Sequence, residues 1–126
     1  MGTLAEPTLE VKRGNAPDES RPFAAHGHAE MHRLASGAVM RGVFEPGWRW
    51  SADVGAALGE RFCQVEHVGM VVSGRATAAM DGGEVIEMKS GDIFYIPPHS
   101  HDSWVVGDEP YVSLHFLGAD HYAANK

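Results

Sequence analysis

From Glu30 onward, turn-forming residues interrupt the chain about every 8 to 12 residues, which leaves little room for ordinary helices between them. "EMHRLA" stops at "SG" and is followed by "AVMRGVFEPG". "CQVEHVGMVV" also stops at "SG", "RATAAM" at "DGG", "EVIEM" at "KSGD", "IFYI" at "PPHSH" and "DSWVV" at "GDEP"; "YVSLHFLG" closes the series. Asp81-Gly82 is the clearest hairpin signal, because Asp-Gly supplies the positive φ angles of a tight turn. Short strands in such a series predict an all-β sandwich or small barrel. One stretch, "ADVGAALGE", has helical character, but Gly55 and Gly59 weaken it and predict a loop.

The chain has 126 residues, which suits one domain with a core of its own. The polar start, broken by Pro7, Gly14 and Pro17, predicts an arm over residues 1–29, a barrel over 30–118 and a tail over 119–126. Leu4, Leu9 and Val11 lie in near-alternation, and an exposed edge strand needs cover. Together they predict a homodimer to which the arm contributes. A formal net charge of −7 argues against nucleic acid as a partner, since phosphate binding needs clustered Lys and Arg. A single cysteine leaves no internal disulfide and fits a reducing compartment. The first twenty residues lack the apolar stretch of a secretory signal, and no apolar run approaches a membrane span. A cytoplasmic protein is expected, with no membrane partner.

Cys63 and His67 are good metal ligands set within "RFCQVEHVGMVVSG", residues otherwise suited to a strand. Taken singly, each has an ordinary reading: a buried Cys is a small core residue, and a strand His is a hydrogen-bonding one. Spacing also raises an objection. In an extended strand the two residues share a face, but their Cα atoms lie ~13 Å apart. A bend or bulge between Gln64 and Glu66 is needed to bring them to one ion.

The stretch extends into a longer pattern: Gly55, five residues, Arg61, one residue, Cys63, three residues, His67, six residues, Gly74. It resembles the first conserved motif of the cupin superfamily, in which a His-x-His pair precedes a Glu and a Gly. "GDIFYIPPHSHDSW" resembles the second, with Gly91 and Pro97 in place and His101 as the metal-binding histidine. Sixteen residues separate Gly74 from Gly91, a gap familiar from small single-domain cupins, and "PGWRWS" and "GDEP" are similar to segments of one cupin subgroup. The resemblance implies a cupin-type small β-barrel, that is, a double-stranded β-helix of jelly-roll character. It also implies a barrel bend where Cys63 and His67 need one. Arg61, Cys63 and His67 replace the usual His, His and Glu, and Arg cannot be a ligand because it stays protonated.

Cys63, His67 and His101 are therefore the expected ligands of one transition metal ion, with His99 a possible fourth that would close the site. Sulfur with imidazole favours zinc, and iron or nickel also fit. Arg61 beside the ion would hold an anionic small molecule in two-pronged fashion, with Trp48, Trp50 and Trp104 as candidate lining. A surface ion pair of Arg61 with Glu60 or Glu66, and packing roles for the tryptophans, are the ordinary alternatives. Tyr95 and Glu45 are further acid–base candidates that nothing in the pattern selects. His26, His28 and His32 form a loose second cluster. His115 sits mid-strand, either facing the barrel interior or simply packed, and His121 lies near the terminus. Two functions follow: a Lewis-acid metalloenzyme acting on a small oxygenated or carboxylate-bearing molecule, or a non-catalytic module that binds or senses a ligand or metal.

Overall fold

The computed structural model describes residues 8–119 and 122; Leu4 and His121 lie outside the described residues. Among the described residues, nine strands form two antiparallel sheets. They are β1 (Glu19–Pro22), β2 (Gly27–Leu34), β3 (Gly37–Phe44), β4 (His67–Ser73), β5 (Arg75–Met80), β6 (Val85–Lys89), β7 (Ile93–Ile96), β8 (His101–Val105) and β9 (Tyr111–Leu117). One sheet has six strands in the order β1-β2-β3-β9-β4-β7, the other three in the order β6-β5-β8. The all-β reading holds, and the turn pairs fall between strands where the sequence placed them.

Strand pairing starts earlier than expected. β1 and the first residues of β2 fall inside the segment assigned to the arm. β1 pairs with β2 through Glu19↔Met31 and Pro22↔His28, so the chain itself covers that side of β2. The segment read as a loop is instead a π-helical turn, Ser51–Gly55, running into a short helix, α1 (Ala56–Leu58). Its glycines assist rather than break it. Gly59 adopts φ 72° and its N–H closes α1 on the Ala56 carbonyl. A side chain at Gly55 would meet the Trp50 ring at 2.4 Å, so only glycine lets that indole lie flat against the turn.

Alternation along the strands builds the core. Tyr111, Ser113 and His115 of β9 are buried while Val112, Leu114 and Phe116 between them are more exposed. Met31, Met40, Val71 and Ser113 are fully buried. An aromatic group fills one end: Phe44 packs edge-on against Trp48 at 4.6 Å and stacks on Phe23 at 5.4 Å.

Candidate metal centre

Three potential ligands reach one point from three pieces of backbone. Cys63 and His101 form an isolated antiparallel bridge, with Cys63 N–H donating to the His101 carbonyl at 2.8 Å and His101 N–H donating back at 3.0 Å. Residues opposed in this way carry their side chains on the same face of the pair. His101 opens β8 of the smaller sheet, while His67 opens β4 of the larger one. Between Cys63 and His67 the chain leaves strand geometry over residues 64–66, which is the bend the spacing required. Gly118, at φ 84°, allows it: a side chain there would strike the Glu66 carbonyl at 2.1 Å.

The bend brings Cys63 Sγ to 3.6 Å from His67 Nε2. A tetrahedral zinc ion with ordinary Zn–S and Zn–N bonds holds its sulfur and nitrogen about 3.6 Å apart. One ligand atom from each of Cys63, His67 and His101 lies within 4.8 Å of the other two, and all three residues are buried. The backbone settles the tautomer of His101. Its Nδ1 is 2.8 Å from the His99 carbonyl, and a carbonyl can only accept, so Nδ1 carries the proton and Nε2 keeps its lone pair. The donor set and its spacing fit a transition metal.

Burial sets the protonation of the trio. The thiol of Cys63 is pushed up to about 11, chiefly by desolvation. His67 is pushed down to about 2 by burial and by the neighbouring His115 and His101, and burial also lowers His101. Both imidazoles are therefore neutral at pH 7, ready as ligands, whereas Cys63 must lose a proton to become one.

The trio faces an apolar cavity of ≈ 30 Å³ walled in part by Phe44, Trp48, Trp50, Met88, Phe94 and His115. His115 lies behind His67, ring centres 5.2 Å apart, and its Nε2 is 2.9 Å from Ser113 Oγ. Burial pushes it down to about 4. Tyr122 also lines the cavity, 5.5 Å from the His67 ring, and its backbone carbonyl accepts from Arg21 at 2.8 Å. No motif or period announces this role, because the residue sits beyond the last strand in what reads as a tail.

Other candidates lie elsewhere. Arg61 is exposed, with its guanidinium 5.2 Å from the Phe62 ring centre, and does not line the cavity. The cause is local: Arg61 lies in a bend ahead of the Cys63 bridge, so strand alternation does not hold it on the same side as Cys63. Trp50 lines the cavity, but Trp104 does not; Arg49 sits over its ring at 4.3 Å. His99 is exposed and contributes its carbonyl, not its ring. The Tyr95 hydroxyl donates to Glu66 on the surface at 2.7 Å, and Glu45 is exposed. His26 pairs with Asp53 and His28 with Glu30, while His32 is buried in β2.

The model of the EutQ-like cupin domain family matches residues 48–112, more than half of the chain. Among solved structures, a protein of unknown function from Acidithiobacillus ferrooxidans is 22% identical with a TM-score of 0.58, over 79% of this chain and 86% of that one. A double-stranded β-helix protein from Klebsiella pneumoniae is 21% identical with a TM-score of 0.57, over 79% and 82%. A mutant of Bacillus subtilis oxalate decarboxylase is 22% identical with a TM-score of 0.53, over 85% of this chain but 28% of that longer one. At such identities the likeness speaks for the fold alone. No curated protein matches the sequence. With two antiparallel sheets, a buried Cys/His/His group between them and the matching family model, the chain belongs to the EutQ-like cupin domain family.

Proposed function

We propose that this cupin binds one transition metal ion through Cys63, His67 and His101. The observation that carries the reading is the 3.6 Å approach of a buried thiol and a buried imidazole, beside a second imidazole whose tautomer the backbone fixes. Zinc suits the ligands best, with iron and nickel as the other choices. When bound, such an ion supplies Lewis acidity at its exchangeable position. The chain's own residues do the rest. Cys63 gives up its proton on loading, the His99 carbonyl orients His101, and the apolar walls keep water away from whatever binds. A small oxygenated or carboxylate-bearing molecule is the ligand class these features support.

A non-catalytic binding or sensing role is the second reading, and the size of the cavity favours it: ≈ 30 Å³ is room for little beyond an ion and a very small partner. The exposed Met70, Val72, Ile93 and Phe116 on the larger sheet support self-association as a homodimer, which a light-scattering mass above one 13.6 kDa chain would establish. Elemental analysis of tag-free protein tests the metal. One equivalent of zinc in the wild type and none in Cys63→Ala or His101→Ala is the expected result. A full equivalent retained in Cys63→Ala overturns the ligand set.

A further inference from the structure

Two indoles share the cavity with the metal ligands, and both hold an unused donor. Trp48 is 3% and Trp50 4% exposed, both line the cavity, and neither Nε1 has an acceptor among the described residues. A donor buried without an acceptor costs free energy that a suitable ligand returns. The two residues flank Arg49, whose side chain is turned outward onto Trp104 and Asp102, so the cation of this segment is kept from the cavity.

Charge then selects the ligand. No Lys or Arg among the described residues lines the cavity. A divalent ion held by one thiolate and two neutral imidazoles carries a net charge of one, enclosed by walls such as Phe44, Ala76, Met88 and Phe94. Uncompensated charge is costly in such surroundings. A monoanion cancels it, a neutral molecule leaves it, and a dianion reverses it. The ≈ 30 Å³ of space limits that monoanion to a few heavy atoms.

We propose that Trp48 and Trp50 form a two-donor subsite for a small monoanion, a carboxylate or an oxyanion of similar size, bound next to the metal. This rests on the metal reading above and deepens it: the indoles, rather than Arg61, recognise the anion.

Formate is the probe and the indole N–H resonances are the readout. The chain has three tryptophans, and Trp104 lies outside the cavity, so it serves as an internal control. In zinc-loaded protein, formate should move the Trp48 and Trp50 signals and leave Trp104 in place; in zinc-free protein it should move none. Trp48→Phe and Trp50→Phe keep a ring and remove a donor, and each should weaken formate binding about ten-fold. Oxalate, larger and doubly charged, should not compete. Protein that takes up no zinc overturns the metal reading and this subsite with it. Zinc-loaded protein whose indole signals ignore formate overturns the subsite alone, as does wild-type affinity in both variants or oxalate competing as well as formate. Should a variant fail to fold, the wild-type spectra still decide.

Discussion

Two sets of histidines look alike in the sequence and end in different settings. His26, His28 and His32 are close in sequence but do not gather: His26 is 3.0 Å from an Asp53 oxygen, and His28 is 2.8 Å from a Glu30 oxygen. His28 and His32 share one strand and stand opposite Val43 and Val39, a separation along β2 of about 13 Å that no single ion spans. His67, His101 and His115 are far apart in sequence yet come from β4, β8 and β9, and they are buried together. His67 lies 5.5 Å from the His101 ring and 5.2 Å from the His115 ring. A candidate ligand group therefore arises where strands of two sheets converge, and proximity in sequence along one strand works against it.

Acid should act strongly on the inner set. Burial holds His67 down to about 2 and His115 down to about 4, so as pH falls below ~6.5 the unfolded chain takes up protons that the folded chain refuses. Their contribution is intact above the unfolded value and is lost as pH falls toward the folded ones. Two such groups give a slope of about 3 kcal/mol per pH unit, or about 5 kcal/mol between neutrality and pH ~4.5. Denaturant titrations of metal-free protein should show this. His115→Gln should reduce the slope by about half. A flat profile in the wild type would put the inner rings in water and dissolve the contrast.

Metal gives the next largest effect. Free zinc at about a thousand times its Kd should stabilise the protein by about 4 kcal/mol. The gain should vanish in Cys63→Ala and persist in His28→Ala. Equal losses in both variants would mean that the outer set also binds.

Proton release sharpens the difference within the inner set. Cys63 is held as a thiol, pushed up to about 11, while both imidazole ligands are already neutral at pH 7. Zinc uptake should then release one proton, and apparent affinity should rise about ten-fold per pH unit from pH ~7 to ~9. Calorimetry in buffers of different ionisation enthalpy measures the proton count; none released would mean a thiolate already present.

The smallest effect belongs to the outer pair. The His28 side chain is 35% and Glu30 17% exposed, so screening limits their ion pair, and His28→Ala should cost less than about 1 kcal/mol by thermal melting. A larger loss would show that the outer cluster organises β2.

Much of this was legible in the sequence where local rules govern. Turn pairs marked the strand ends, and the spacing from Cys63 to His67 stated its own requirement for a bend, which residues 64–66 supply. Other features depend on where the chain leaves strand geometry. The motif match sets Arg61 beside the ion, at the place of the first His, but strand alternation begins only once a strand does, and Arg61 precedes it. Gly55 and Gly59 suggested a loop, yet one makes room for Trp50 and the other caps a helix. Tyr122 reaches His67 through tertiary packing after the last strand, where neither period nor motif exists to announce it.

The reciprocal bridge between Cys63 and His101 bears on rates as well as on geometry. Two of the three proposed ligands are tied by backbone before any ion arrives, so the entropy of bringing them together is spent in folding. Only the ion's own water shell and the Cys63 proton then remain to be shed at the encounter. Amide exchange at Cys63 and His101 should be slow in the metal-free protein for the same reason, and loading should slow it further without moving either strand.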